Sequence, residues 1–393
     1  MSNNNLNIAK VVKNDDFFTQ LCDIEAELQY YWDKFKGKTI LCNCDNPEHS
    51  NFWVYFHKNF SKMGLKKLIS THFSVSDKVY SKIYSGGNDN DITVGDITYL
   101  RGNGDFRSAE CIQILKEADV VVTNPPFSLM REYITQLMDY NKTFVIIANI
   151  NTIVCKNIFP YFKNNKMWLG ITSGSKSYVI PDEFADMGKS SVYQKDGIWY
   201  QKFGNTCWFT NIDIPRCHNW VELKNEYSSE LYPKYDNYDA ISVNRVSEIP
   251  FDYFESFIIP QMYKDKLKDF YIYESMADFD SAVRNKELTT VDIAIEHRGS
   301  LIIPVIDKQY MQDNLIHKGI PVDTMEYRNG HMGVPLTFMD KFCDEQFDLI
   351  DIDFNLAVPV RLSNGKRGKD RFYLSEKRLY TRIVIKRKFR IGG

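Results

Sequence analysis

Asp119-Val120-Val121-Val122-Thr123-Asn124-Pro125-Pro126-Phe127 is the stretch on which the reading of this chain turns. Its first five residues form an apolar run with a polar residue at each end, the pattern of a strand covered on both faces of a parallel sheet. Proline cannot donate to a sheet ladder, and it restrains the residue before it to extended backbone, so the Pro-Pro pair stops the strand at Asn124. Upstream, residues 109–117 predict a short helix. Downstream, Met130, Tyr133, Ile134, Leu137 and Met138 recur at helical spacing, with Ser128 as the expected N-cap. A second apolar strand follows at 143–148. Short strands are expected at 38–42 and 67–70, and a loop or irregular hairpin at 85–96. Phe17, Leu21, Ile24, Leu28 and Tyr31 mark an amphipathic helix. Residues 167–172 and 206–212 read as an antiparallel edge. Apolar strands alternating with helices predict an α/β fold whose sheet is mostly parallel. Ligands of such sheets bind beyond the carboxyl ends of the strands, which is where Asn124–Phe127 falls.

The chain has 393 residues, of which 44% are hydrophobic and 25% charged, enough for two domains and too apolar for a disordered chain. The texture changes near residue 215, so a first domain is expected over 1–215 and a second over 216–393. No run of about 18 apolar residues suits a membrane span. The polar start suggests no secretory leader. The eight cysteines include no Cys-x-x-Cys pair and no following His pair at zinc spacing, so reduced thiols, no metal and a cytoplasmic location are expected. The formal net charge of −2 speaks against a nucleic-acid partner, but it hides an asymmetry. Residues 361–390 carry twelve Lys/Arg and two acids, a net of +10, leaving −12 for the remainder. Residues 378–388 alternate basic and apolar positions, as a half-buried strand does.

Asn124-Pro125-Pro126-Phe127, placed after the apolar strand at 119–123, resembles the catalytic motif of methyltransferases that act on an exocyclic amino group, and its residue types suit that chemistry. The adenine amino nitrogen is a poor nucleophile because its lone pair is delocalised into the ring. Two acceptors aimed at its two N–H bonds favour a tetrahedral nitrogen with a directed lone pair. The Asn124 side-chain oxygen is one candidate, and the Pro125 carbonyl, fixed by Pro126, is the other. Phe127 offers a flat face for a base to stack on. A base in duplex DNA reaches such a site only by flipping out of the stack. Trp208 and Phe209 read either as a second stacking face at the pocket edge or as ordinary core residues.

These motifs resemble the EcoRI-type adenine-specific DNA methyltransferases. The likeness runs through DDFFTQLCDIEAELQYY, LCNCDNPEHSNFW, GDFRSAECIQILKEADVVVTNPPFSLMREYI, CWFTNID, HMGVPLTFMDKFCDEQFDLI and RLYTRIVIKRK. It implies a Rossmann-like S-adenosyl-L-methionine-dependent methyltransferase sheet, a C-terminal target-recognition region, catalysis at Asn124, Pro125, Pro126 and Phe127, and double-stranded DNA as the partner. The cofactor would be bound by Phe17, Phe18, Thr19 and Gln20, by Asn43, Cys44, Asp45, Pro47, Ser50, Asn51 and Phe52, and by Asp105 and Phe106 of a Gly-Asp-Phe turn. His49 reads as a local hydrogen-bonding residue. The loop after residue 42 lacks the glycines usual in methyltransferases yet matches this family. Residues 255–329 read as an insertion between IPFDY and HMGVPLTF, structural or adding DNA or partner contacts. Restriction–modification, or protection of phage or mobile-element DNA, would be the biological setting. RNA or protein-glutamine methylation, or a non-catalytic DNA-binding relative, are the alternatives. Arg378, Arg382, Lys386, Arg387 and Lys388 are the expected phosphate contacts.

Overall fold

The structure, a computed structural model, describes residues 19–75, 77–172, 174, 176–180 and 191–389. The chain divides after Ile214 into two compact units. The strands of the first are β1 (Thr39–Cys42), β2 (Lys67–Thr71), β3 (Tyr80–Tyr84), β4 (Asp96–Tyr99), β5 (Val120–Thr123), β6 (Thr143–Asn149), β7 (Trp168–Leu169), β8 (Lys176–Val179), β9 (Val192–Lys195), β10 (Ile198–Phe203) and β11 (Thr206–Thr210). Eight of them form one sheet in the order β4-β3-β2-β1-β5-β6-β11-β7. The four central strands are parallel, with Leu41 registered against Ile69 and Val121, and Val121 against Phe144. Every residue of β1 and β5 is buried, as their uninterrupted apolar runs require. Each such Val, Ile or Leu side chain contributes roughly 1.5–3 kcal/mol by leaving water.

From β1 the chain crosses to β2 on one side, then returns to place β5 on the other. The strand order therefore reverses between β1 and β5, and their carboxyl ends flank a crevice. Helices Asn51–Lys58, Ala109–Glu117 and Met130–Asp139 make the crossovers. The last begins one residue later than expected. Ser128 lies inside a 3-10 turn at Phe127–Leu129, and Leu129 rather than Ser128 occupies the cap position. The two prolines fix the chain in extended form through Pro126, so a tight turn must intervene before an α-helix can start.

The expected antiparallel edge at β11 and β7 is present, with Phe209 opposite Leu169. A second one, the β3–β4 hairpin, was not foreseen; residues 85–95 are its connection. β3 is hard to read because its inward side includes Lys82. That side chain is buried, reaches the Ile92 carbonyl at 3.2 Å and lies over the Trp53 ring.

The second unit holds β12 (Lys234–Tyr235), β13 (Tyr238–Ser242), β14 (Ser256–Pro260), β15 (Tyr271–Tyr273), β16 (Ile293–His297), β17 (Ser300–Pro304), β18 (Glu326–Arg328), β19 (His331–Pro335), β20 (Phe347–Ile352), β21 (Tyr373–Leu374), β22 (Lys377–Arg378) and β23 (Arg382–Arg387). One sheet runs β12-β13-β19-β23-β20 and another β15-β16-β17-β14-β18. β13 and β19 are parallel neighbours, so the chain between them must cross over. Residues 255–329 do so while building the whole second sheet, with helices Met276–Arg284 and Lys308–His317 packed on its core.

Candidate active site

The crevice between β1 and β5 is organised around one carboxylate. Asp45, three residues beyond β1, is buried. Its Oδ1 accepts a hydrogen bond from Ser50 Oγ at 3.0 Å. Its Oδ2 accepts from Thr123 Oγ1 in a short contact and from the Asn124 backbone N–H at 3.4 Å. Its own amide donates to the Thr71 carbonyl, and its carbonyl accepts from Ser70. Asp45 thus ties the ends of β1, β2 and β5 to the loop that opens the next helix. Burial pushes its carboxyl up to about 6, against the opposing effect of the Thr123, Ser50 and Asn124 donors. Ser50 also caps that helix, accepting from the Phe52 amide at 3.1 Å. A capped helix start therefore stands in this glycine-free loop.

The neighbouring groups differ in how far they are enclosed. Asn43 is buried and its side-chain oxygen accepts from the Tyr133 hydroxyl. Cys44 donates its amide to Thr123 Oγ1 at 3.2 Å, and burial, then the Asp45 charge, hold its thiol protonated. Pro47 is buried and His49 exposed. Thr123 and Tyr133 were not singled out from sequence. Thr123 is legible as the polar end of an apolar strand, whereas Tyr133 reads as one more core position on its helix.

Asn124, Pro126 and Phe127 are partly exposed at the rim and Pro125 is buried. Phe127 meets Phe203 of β10 edge to face, with centroids 6.4 Å apart, and Phe203 meets Tyr178 of β8 at 5.6 Å. The aromatic neighbours of the tetrapeptide thus come from the small β8-β10-β9 sheet, not from Trp208 or Phe209. Those two are fully buried core residues, packed on Phe52 and Phe162 respectively. Phe52 is itself 1% exposed, so it supports the loop from inside rather than facing a ligand.

Phe17 and Phe18 lie outside the described residues. Thr19 is buried, and its carbonyl accepts from Asn51 Nδ2 at 2.7 Å, which brings the 19–20 segment to the loop after β1. The Gln20 side chain donates to the Ser177 carbonyl. The Gly-Asp-Phe turn lies beside the end of β2. Gly104 has φ +77°, and a Cβ there would sit 1.9 Å from the His72 carbonyl oxygen, so only glycine fits. Phe106 is buried edge-on against Tyr133 at 5.0 Å. The Asp105 carboxylate accepts two bonds from the Arg107 guanidinium at 2.9 and 2.7 Å, and this partner holds its pKa below the usual range. Arg107 was not foreseen either. Asn43, Asp45, Ser50, Asn51, Thr19, Phe106 and Asn124 are therefore brought together, linked directly or through Tyr133 and Thr123.

The terminal strand forms as its alternation predicts, but most of its basic side chains do not face solvent as phosphate contacts would. β23 lies between β19 and β20 inside a sheet. Arg382 is buried and bonds Asn244 at 3.2 Å. Lys386 pairs with Glu255 at 2.6 Å and Lys388 with Asp348 at 3.2 Å. Arg387 is buried against Asp280 and stands over the Phe254 ring. Of the five expected phosphate contacts, only Arg378 is exposed. The other four secure the unit's interior, because sequence alternation reports which side chains are polar and not whether acids face them.

Among the described residues, no cluster of His, Cys, Asp or Glu could hold a metal, and no helix is long and apolar enough to cross a membrane. Comparison with known proteins adds the lineage. The family model described as "Adenine-specific methyltransferase EcoRI" matches residues 5–302 and 306–388, running through all of 255–329 except 303–305. The chain is 42% identical to the Type II methyltransferase M.EcoRI of Escherichia coli, across 96% of this chain and 98% of that protein. It is 38% identical to the Type II methyltransferase M.MpnI of Mycoplasma pneumoniae, across 65% of this chain and 79% of the relative. The same identity holds for M.MgeORF184P of Mycoplasma genitalium, across 63% and 78%. No solved structure matches. A family match across nearly the whole chain, with the Asn-Pro-Pro-Phe turn at the strand-order reversal, means that this chain belongs to the EcoRI family of adenine-specific methyltransferases.

Proposed function

We propose that this protein is a site-specific DNA methyltransferase that moves a methyl group from S-adenosyl-L-methionine to N6 of an adenine flipped out of double-stranded DNA. The cofactor sits on a Rossmann-like sheet, and residues 216–393 form the target-recognition region. The observation that carries this reading is the bond network of Asp45, which joins the Asn124-Pro125-Pro126-Phe127 turn to the loop after β1. The names of the Type II relatives support a role in restriction–modification, with protection of phage or mobile-element DNA as the related setting.

The residues present fit the cofactor. Thr19 Oγ1 is buried with no hydrogen-bonding partner among the described residues, as expected of a group that meets a bound ligand. Asp105 keeps acceptor capacity beyond the bonds from Arg107 and would take the amino group of an adenine ring. Phe17, Phe18, Thr19 and Gln20 would hold the methionine end, and residues 43–52 the middle. Bound there, S-adenosyl-L-methionine supplies a methyl group made electrophilic by its sulfonium.

The chain's own residues do the rest. Asn124 Oδ1 and the Pro125 carbonyl accept the two N–H bonds of the target amino group and orient its lone pair. Phe127 stacks on the base. The methylated nitrogen is acidic enough to lose its proton to solvent, so orientation and electrostatics supply the rate without a strong base. The test is transfer of tritiated methyl from the cofactor to unmodified duplex DNA. Incorporation by the wild type and its loss in Asn124→Ala are expected; undiminished incorporation by the variant refutes the assignment.

A further inference from the structure

Most cations of the second unit are neutralised close by. Lys224 pairs with Glu222 at 3.1 Å, Lys234 with Asp239 at 2.6 Å, Arg298 with Glu226, and Lys318 with Asp269 at 2.5 Å. Residues 361–378 hold the densest run of cations that are not so paired. They hold seven Lys/Arg against two acids. Arg361, Lys366, Arg367, Lys369, Lys377 and Arg378 are all exposed. Among the described residues, only Arg367 of these six has an acidic partner, Asp370 at 3.9 Å on the surface.

The segment is firmly built despite its charge. β21 and β22 form a hairpin whose turn residues Ser375 and Glu376 have φ of 47° and 62°. A second tight turn closes where the Leu362 amide donates to the Lys366 carbonyl at 3.0 Å, with Arg361 and Arg367 bridged across it. The Glu376 carboxylate stitches the two turns together, accepting from the Ser363 amide at 3.0 Å and its hydroxyl at 2.6 Å. The Asp236 carboxylate accepts from the Ser375 and Glu376 amides at 3.2 and 2.9 Å. Beneath, Phe372 is fully buried, 4.4 Å from the Tyr235 ring and stacked on Tyr238 at 5.2 Å. Gly368 lets the chain close on that base, since a Cβ there would sit 2.7 Å from Val360 Cγ1. One of the two acids is thus consumed internally, while the cations stay exposed to solvent.

We infer that this double-turn element, residues 361–378, is the surface that grips the phosphate backbone of duplex DNA. The inference rests on the DNA-methyltransferase reading and moves the phosphate contacts away from Arg382, Lys386, Arg387 and Lys388. Like charges are kept close together here although each repels the next, and a polyanion relieves that repulsion by displacing counterions. A preformed scaffold spares the ordering cost that a flexible basic tail would carry on binding.

The test is DNA binding as a function of salt by the full chain in which Arg361, Lys366, Arg367, Lys369, Lys377 and Arg378 are all changed to Gln. Removing one phosphate-bound cation lowers the slope of log K against log salt by about 0.9, so a fall of at least about 2 and weakening of tenfold or more at low salt are expected. Cofactor binding by calorimetry and the melting temperature should stay at wild-type values, because all six side chains lie outside the core. A variant with Lys386 and Lys388 changed to Gln should keep the wild-type slope. An unchanged slope in the sixfold variant, or a slope lowered only by the Lys386/Lys388 changes, overturns the inference. A wild-type chain that binds DNA without methylating it refutes the proposed function instead, and leaves the surface standing on its own result.

Discussion

The ends of β5 and β23 make an instructive pair. Both strands run through the interior of a sheet, and both finish in polar groups held by carboxylates, buried at β5 and half-buried at β23. At β5 the carboxylate is Asp45, and its partners are a hydroxyl and a backbone amide of the strand end itself. The bonds hold the backbone still, so that Asn124 stands at the crevice rim. At β23 the carboxylates Glu255 and Asp280 come from the 255–329 segment and meet the cations of the strand directly. Those bonds close a seam between two sheets of the same unit. Similar chemistry thus orients the Asn124 turn in one place and fastens a subdomain in the other. The difference lies in what remains free to meet a ligand.

The sharpest way to break the comparison is Asn124→Ala. Loss of one aligned acceptor should lower kcat by at least about a hundredfold, measured by tritiated methyl transfer. Next is Arg387→Gln. Removing the buried guanidinium leaves the half-buried Asp280 uncompensated and should cost about 2 kcal/mol of stability by denaturant unfolding, with the salt slope of DNA binding unchanged. If the slope flattens instead, the seam at β23 is also a DNA surface and the contrast fails.

A smaller effect is expected at Asp45. The ionised carboxylate accepts from Thr123, Ser50 and Asn124 together, whereas a protonated one must donate one bond, so kcat should fall as pH drops through about 6. Stability moves the other way. The folded pKa lies above that of an unfolded carboxyl, so the cost of burying the charge is full above pH about 6 and is relieved toward pH about 4. Asp45→Asn should lower kcat about tenfold and remove the acid limb of the pH profile; a limb that persists assigns the titration to another group. The mildest change is Ser50→Ala. It removes an N-cap worth about 1 kcal/mol and one bond to the ionised Asp45, so the acid limb should shift to higher pH.

Much of the edge that carries Asn124 was legible without coordinates. An apolar strand stopped by two prolines, followed by a helical stripe, has few ways to fold, and helix Ala109–Glu117 and strand Thr143–Asn149 lie where their patterns place them. What escaped was decided by partners distant in sequence. Lys82 hides the period of β3 because a buried lysine reads as a surface one. Tyr133 passes for a core aromatic until Asn43, ninety positions away, accepts its hydroxyl. Arg107 takes up part of the Asp105 carboxylate, which from sequence read only as a cofactor-binding group.

The sequence by itself determined the α/β alternation, the turn that carries Asn124 and the family to which the chain belongs, because local backbone chemistry and motif order are written in consecutive residues. Only the tertiary structure decided which charges are exposed. Arg387 and Arg378 are nine positions apart in the same basic run, yet one is sealed against Asp280 and the other faces water. The physical reason is that a charge is read by whatever desolvates or pairs it, and those neighbours are assembled only when separate segments pack.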